Sequence, residues 1–183
     1  MNDAATQQIT DALVEAGVDF VASLPEGNFQ PLISRIETDP RLTHVHLARE
    51  EEGVGICAGA YLGGKRPALL IMNAGFLDST NALATLNFMS GIPLLLLIGY
   101  SGGMSEFLWM HSQVGVLTEP VLRAMGIVYE RAEKLSDVKT QIFDAHMLAS
   151  ITMRPVALVL NKECLRWRDE ALRMLAGDAP ARR

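Results

Sequence analysis

The sequence predicts an α/β domain, a three-layer sandwich in which helices cover both faces of a six-stranded, mostly parallel sheet. Three observations carry this expectation. Short apolar segments alternate with amphipathic ones along most of the chain, the pattern of strands joined by crossover helices. One predicted strand, residues 93–98, reads Pro-Leu-Leu-Leu-Leu-Ile and is too uniformly apolar for one face to meet water. A length of 183 residues, with 49% hydrophobic and 20% charged side chains, suits one domain with a sizeable core. That domain is expected over residues 1–176, with a disordered tail over 177–183.

Each element has its own signal. Residues 6–16 set Ile9, Leu13 and Val14 at helical spacing, and Gly17 suits the helix end. Residues 20–24 read as a strand closed by Pro25-Glu-Gly. A helix over 29–36 and a strand over 42–47 follow, then a helix over 50–62 that ends at Gly63-Gly64. The third strand, 67–72, leads through a glycine-containing turn to a helix over 79–89. Beyond the strand at 93–98, the polar, glycine-rich residues 99–115 show no clear period. A helix over 117–125, a strand over 127–129, a helix over 135–150 and a strand over 155–160 complete the alternation. In sheets of this kind ligands sit beyond the carboxyl ends of the strands. The loops there begin at Leu24, Ala48, Asn73 and Gly99, and they carry much of the glycine and polar content outside the helices.

Composition excludes several classes. The formal net charge is -5 and no basic stripe occurs, which argues against nucleic acid as a partner. Cys57 and Cys164 are isolated, so neither a disulfide framework nor a zinc site is indicated. Residues 1–6 are polar and lack a signal-peptide pattern, and the longest apolar run is too short to cross a bilayer. A reduced, soluble, cytoplasmic protein without a membrane partner is expected.

The most informative stretch is Arg49-Glu-Glu-Glu-Gly-Val-Gly-Ile-Cys-Ala-Gly-Ala-Tyr61. Three carboxylates stand at a helix N-terminus, where the helix dipole favours ionised acids. Gly53, Gly55 and Gly59 follow, each costing about 1 kcal/mol relative to Ala in a helix interior. A helix that accepts such residues usually has its backbone close to another helix, a partner chain or a cofactor. A carboxylate carried inward there would have a raised pKa and could give a proton. Solvated first-turn acids are the plainer alternative.

The run from Arg49 to Leu70 resembles the pyrimidine-binding domain of thiamine diphosphate enzymes. Within them it is most similar to the sulfopyruvate decarboxylase alpha subunit and phosphonopyruvate decarboxylase family. Asn81-Ala-Leu-Ala-Thr-Leu-Asn87, Gly91-Ile-Pro-Leu-Leu-Leu-Leu-Ile98 and Thr118-Glu-Pro120 extend the likeness over nearly the whole chain. The resemblance implies that a glutamate ten residues before the helix tyrosine contacts the aminopyrimidine ring, which selects Glu51 by counting from Tyr61. Its carboxyl would hydrogen-bond the pyrimidine N1′ and favour the imino form, whose nitrogen removes the thiazolium C2 proton. The cofactor would then attack a 2-oxo acid and take up electrons as carbon dioxide leaves. Gly53 and Gly55 would let the ring or a partner helix approach, while Glu50 and Glu52 would be solvated or cross-subunit groups.

Complete enzymes of this family carry a second domain, marked by Gly-Asp-Gly and a downstream Asn, that holds the diphosphate through magnesium. This chain has no Gly-Asp-Gly. The resemblance therefore implies a separate diphosphate-binding beta subunit that carries most of the magnesium site, in a heterodimer or heterotetramer with the cofactor across the interface.

Further candidates rest on position. His111 lies in the polar stretch, where an imidazole could relay a proton; a surface role is the alternative. Glu26 and Asn28 follow the first strand, where relatives place substrate contacts, against a turn-forming role. Asn73 and Gly75 close the third strand beside the expected cofactor, and Gly75 could instead be a positive-φ turn residue. His44 and His46 share a strand face without a visible third ligand, so structural roles are expected. After Asn73 the relatives read Ser-Gly-Leu-Gly-Asn, whereas this chain has Ala74-Gly-Phe-Leu-Asp78, bulkier and more acidic. With Glu26 also acidic, a less charged 2-oxo acid is an open alternative to sulfopyruvate or phosphonopyruvate. Two other classes compete. A flavodoxin-like binding module lacks any GxGxxG or Walker loop, and a non-catalytic regulatory subunit would not need Glu51.

Overall fold

The computed structural model describes residues 3–26, 29–104, 106 and 109–161. Its elements run α1 (Asp3–Glu15), β1 (Phe20–Ser23), α2 (Gln30–Thr38), β2 (Thr43–His46), α3 (Glu50–Leu62), β3 (Pro67–Met72) and α4 (Asn73–Asp78). Then come α5 (Thr80–Ala82), which continues as a π-helix (Leu83–Phe88), β4 (Leu94–Gly99), α6 (Trp109–Ala124), β5 (Val128–Ala132), α7 (Leu135–Thr152) and β6 (Pro155–Leu160). The six strands form one sheet in the order β2-β1-β3-β4-β6-β5, and every pairing is parallel.

Alternation along the strands builds two cores. Ala68, Leu70, Leu95 and Leu97 face one side, with Ile9 and Leu13 of α1, Leu32 and Ile33 of α2, and Ile142 of α7. Leu69, Ile71, Leu94, Leu96 and Ile98 face the other, with Val54 of α3, Phe76 of α4, Leu83 of the π-helix and Leu122 of α6. Each fully buried Leu or Ile contributes about 1.5–3 kcal/mol, so the buried run of β4 anchors both layers. The expected three-layer sandwich is present, and its sheet is wholly parallel.

Three local expectations change. The turn expected after β3 is the helix α4, which begins at Asn73 itself. Gly75 lies within it and has no positive φ. The helix expected over 79–89 takes the wider π form over Leu83–Phe88. The largest difference is α6, which starts at Trp109 and takes in His111 and Gly115, expected in a loop. Its first turns hid their period because Trp109, Met110, Val116 and Leu117 lie on the exposed face. The side packed inward is given by Gly115 and Thr118 instead. Strand β5 runs three residues beyond the expected 127–129, since Glu130 and Arg131 on this edge strand read as loop. The expected tail over 177–183 lies outside the described residues.

Candidate active site

The sheet order fixes where a ligand belongs. From β1 the chain moves to one side, to β2, while from β3 it moves to the other, to β4. The carboxyl ends of β1 and β3 therefore flank a crevice, the switch point at which open parallel sheets hold ligands. Phe29 anchors the β1–α2 loop there, seated so closely over Gly99 at the end of β4 that a side chain on Gly99 would strike its ring.

The three consecutive acids of α3 diverge. Helical geometry turns each by about 100° from the last. Glu50 is half-buried and packs against Gly75 of α4, where any Cβ would collide with its side chain. Space, rather than φ, explains that glycine. Glu52 reaches back to accept the Ala48 N–H at 3.0 Å, satisfying a donor at the helix entry. Glu50 is thus not a solvated acid, whereas Glu52 is exposed as expected. Glu51 points outward, 42% exposed, with Oε1 3.1 Å from Nε of Arg49. Arg49 also approaches Asp78 Oδ2 at 3.5 Å. Beside them opens a groove of about 570 Å³, lined by Ala48, Arg49, Glu51, Glu52, Asn81 and Ala82.

The glycines of α3 divide by face. Gly53 is buried, and a Cβ there would meet Leu47 and Leu69 side chains at 2.5 and 2.6 Å. It lets α3 settle on the sheet and turns away from the groove, so close approach of a cofactor is not what its small size serves. Gly55 and Gly59 face open space, with nothing within 4 Å of an added Cβ.

Asn73 also has an internal task. It is 1% exposed. Its Nδ2 donates to the Ser101 carbonyl at 2.7 Å and to Thr118 Oγ1 at 3.0 Å. Its Oδ1 accepts the Ser101 N–H at 3.3 Å. Both amide hydrogens are thus committed to the protein, and the side chain ties β3, the loop after β4 and α6 together instead of offering a donor to a ligand.

The loop after β4 folds onto α6. Gly102 has φ +95, and a Cβ there would strike the His111 carbonyl and Gly115. Tyr100 Oη donates to the Gly115 carbonyl at 3.2 Å. This contact brings Glu106 to His111, with Oε2 3.5 Å from Nδ1. The Glu106 side chain is 3% exposed and the His111 side chain 30%. Sequence reasoning missed Glu106 because a lone acid in a polar run carries no sign of burial; the glycines at 102 and 115 are the signal for the close contact that buries it.

The remaining candidates are more peripheral. Glu26 is half-buried after β1, and its carbonyl accepts the Phe29 N–H at 3.1 Å. Asn28 lies outside the described residues. His44 Nε2 lies 2.8 Å from Ser23 Oγ and His46 Nε2 3.3 Å from Glu37 Oε1, both toward α2. Burial holds the pKa of His44 below its usual range. Cys57 is buried, and desolvation pushes its thiol up to about 12, so it is inert. Among the described residues no group of three His, Cys, Asp or Glu side chains can hold a metal ion, and no helix is long and apolar enough to cross a membrane.

Comparison with known proteins bears on this geometry. Residues 3–105 match the model of the thiamine pyrophosphate enzyme N-terminal TPP-binding domain. The chain is 34% identical over 157 residues to the sulfopyruvate decarboxylase subunit alpha of Methanococcus maripaludis, covering 86% of this chain and 94% of that one. It is 32% identical over 170 residues to a sulfopyruvate decarboxylase of Methanosarcina acetivorans, covering 88% of this chain but 42% of that longer relative. Its fold is similar to a 2-oxoglutarate:ferredoxin oxidoreductase from Magnetococcus marinus, with a TM-score of 0.69 and 17% identity over 88% of this chain and 29% of that one.

Proposed function

We propose that this chain, which belongs to the thiamine pyrophosphate enzyme family through its N-terminal TPP-binding domain, is the pyrimidine-binding subunit of a two-chain 2-oxo acid decarboxylase. The observation that carries the reading is the placement of Glu51. It stands in the first turn of α3, at the carboxyl edge of the sheet, with its carboxylate turned into an open groove.

The groove and its acid fit an aminopyrimidine. Glu51 is held by one ion pair to Arg49, a contact between exposed groups worth under about 1 kcal/mol. A ring nitrogen can take its place at little cost. Gly55, with open space over its Cα, leaves room for a close neighbour on the same helix. Thiamine diphosphate, when bound, supplies a carbon nucleophile and accepts the electrons released as carbon dioxide leaves. The task of Glu51 is to hold a proton at the pyrimidine N1′. His111, in the first turns of α6, would move a proton near the reacting carbon. Glu26, half-buried after β1, would contact the substrate, as would Asn28.

A carboxyl exchanging protons works best in a dry site, and the groove beside Glu51 is open. A second chain that covers it and brings the diphosphate-binding half completes the site, in line with the subunit name of the Methanococcus relative. Magnesium would sit mainly on that beta subunit. The assembly would be a heterodimer or a doubled heterotetramer, and the setting a reducing cytoplasm. Sulfopyruvate is the substrate the relatives favour. The acid-rich rim of Glu26, Glu51 and Asp78 keeps phosphonopyruvate and less charged 2-oxo acids in the test.

The test is to purify this chain with the diphosphate-binding chain encoded beside it and assay carbon dioxide release. The mixture contains thiamine diphosphate, magnesium and a panel of 2-oxo acids. The expected result is release that needs both chains and is greatest with sulfopyruvate. No release from any acid by the assembled pair would end the decarboxylase reading.

A further inference from the structure

The loop between β4 and α6 carries a carboxylate to which the decarboxylase reading gives no task. Glu106 turns inward until its side chain is 3% exposed. Its Oε2 accepts the Gly102 N–H at 3.0 Å and stands 3.5 Å from Nδ1 of His111. That nitrogen is itself buried and has no hydrogen-bond partner at its present distance. Since the ring is 30% exposed overall, the Nε2 edge is the part left to reach the surface.

A buried carboxylate is costly to desolvate and is retained where donors hold it. One donor is the backbone of Gly102, whose position is set by its contact with His111 and Gly115. The loop and the first turns of α6 therefore move as one piece, with the acid and the ring at fixed separation. A gap of 3.5 Å lies a few tenths of an ångström beyond hydrogen-bond range, and such contacts commonly tighten when a ligand is bound.

We propose that Glu106 is the positioning residue of His111. It accepts the Nδ1 hydrogen, so the neutral ring keeps its lone pair on Nε2 and turns that atom toward the crevice. Which nitrogen of an imidazole works is set by the partner of the other. With Nδ1 occupied, Nε2 would take a proton from water, releasing hydroxide to solvent, and deliver it to the product, which returns the ring to neutral. A carboxylate that merely stapled Gly102 would leave the tautomer of the ring unaffected. This inference rests on the decarboxylase reading for its chemistry, but the tautomer can be tested without turnover.

The full chain, labelled with nitrogen-15, reports the tautomer of His111 by NMR at a pH where the ring is neutral. The expected result is a hydrogen on Nδ1 in the wild type and in Glu106→Gln, whose amide oxygen also accepts. Glu106→Leu should shift the ring toward Nε2–H, the commoner form of an unconstrained imidazole. In the two-chain enzyme, Glu106→Leu should lower kcat roughly 10–100-fold, the scale found for partners behind a working histidine, with KM little changed. A wild-type ring carrying its hydrogen on Nε2 overturns the proposal, and that spectrum suffices even if the leucine variant does not fold. An unchanged tautomer in Glu106→Leu, or an unchanged kcat, overturns it as well. A two-chain enzyme inactive toward every acid would instead sink the decarboxylase reading and leave the tautomer result standing.

Discussion

The walls that α3 and α6 build hold their acids in opposite ways. On α3, Glu51 is 42% exposed and leans on one ion pair to Arg49. On the α6 side, the Glu106 side chain is 3% exposed and bonded to the backbone of a loop that two glycines press onto the helix. An exposed carboxylate exchanges partners at little cost, whereas a buried one stays where its donors put it. On the proposed two-chain reading, the difference separates what this chain completes alone from what a second surface would finish. The α6 wall is built; the α3 wall is open.

The comparison breaks most directly at Glu51. Glu51→Gln is expected to lower kcat of the two-chain enzyme by about 10²–10⁴-fold, with chain stability changed by less than about 0.5 kcal/mol. Near-normal turnover, in a carbon dioxide release assay, would remove Glu51 from its role. On the built wall the expected damage is to stability. Gly102→Ala places a Cβ at φ +95 against the His111 carbonyl and Gly115, which should cost about 3 kcal/mol in urea denaturation. A cost near zero would mean that the loop is not locked.

Asn73→Ala removes the partner of both backbone groups of Ser101 and one donor to Thr118, and a loss of roughly 2 kcal/mol is expected by the same measurement. Gly55→Ala should act with the opposite sign. With open space over Gly55, alanine is expected to stabilise the isolated chain by up to about 1 kcal/mol while weakening capture of the diphosphate-binding chain in a pull-down. Unchanged capture would place the partner elsewhere.

The smallest effect comes from two partly buried histidines. Burial lowers the pKa of His44 from its ordinary 6.5, and burial with Arg66 nearby lowers that of His146. The unfolded chain then takes up protons more readily than the folded one. Stability from these rings is complete above about pH 6.5 and falls as the pH drops through that value toward their folded pKa values. Urea midpoints measured between neutral and mildly acidic pH should decline by well under that of Gly102→Ala, and His44→Gln should flatten part of the slope. A midpoint that rises on acidification would contradict the burial of both rings.

Most of the architecture was legible because its signals are local. Uniformly apolar β4, the capped α3 and the alternation of strand and helix each follow from neighbours in sequence. What escaped depends on contacts far along the chain. Helix α6 was missed over its first turns because its apolar residues face outward, so periodicity pointed away from the core. The internal role of Asn73 depends on Ser101 and Thr118, 28 and 45 residues away. Glu51 was singled out by the family resemblance, which counts ten residues back from Tyr61 within one helix, whereas the approach of Glu106 to His111 has no such motif to announce it.

The sheet order also sets a timetable. Strand β5 is made before β6, yet it hydrogen-bonds to β6 and sits outside it. As the chain leaves the ribosome, β1 to β4 can assemble in turn, while β5 has no place to dock until Leu160 has emerged. At roughly 5–20 residues per second this wait lasts a few seconds. Through that interval β4 presents an unpaired and wholly apolar edge. A nascent chain halted before Leu160 would keep that edge indefinitely, so translation arrest in this short window should turn a well-folding protein into an aggregating one.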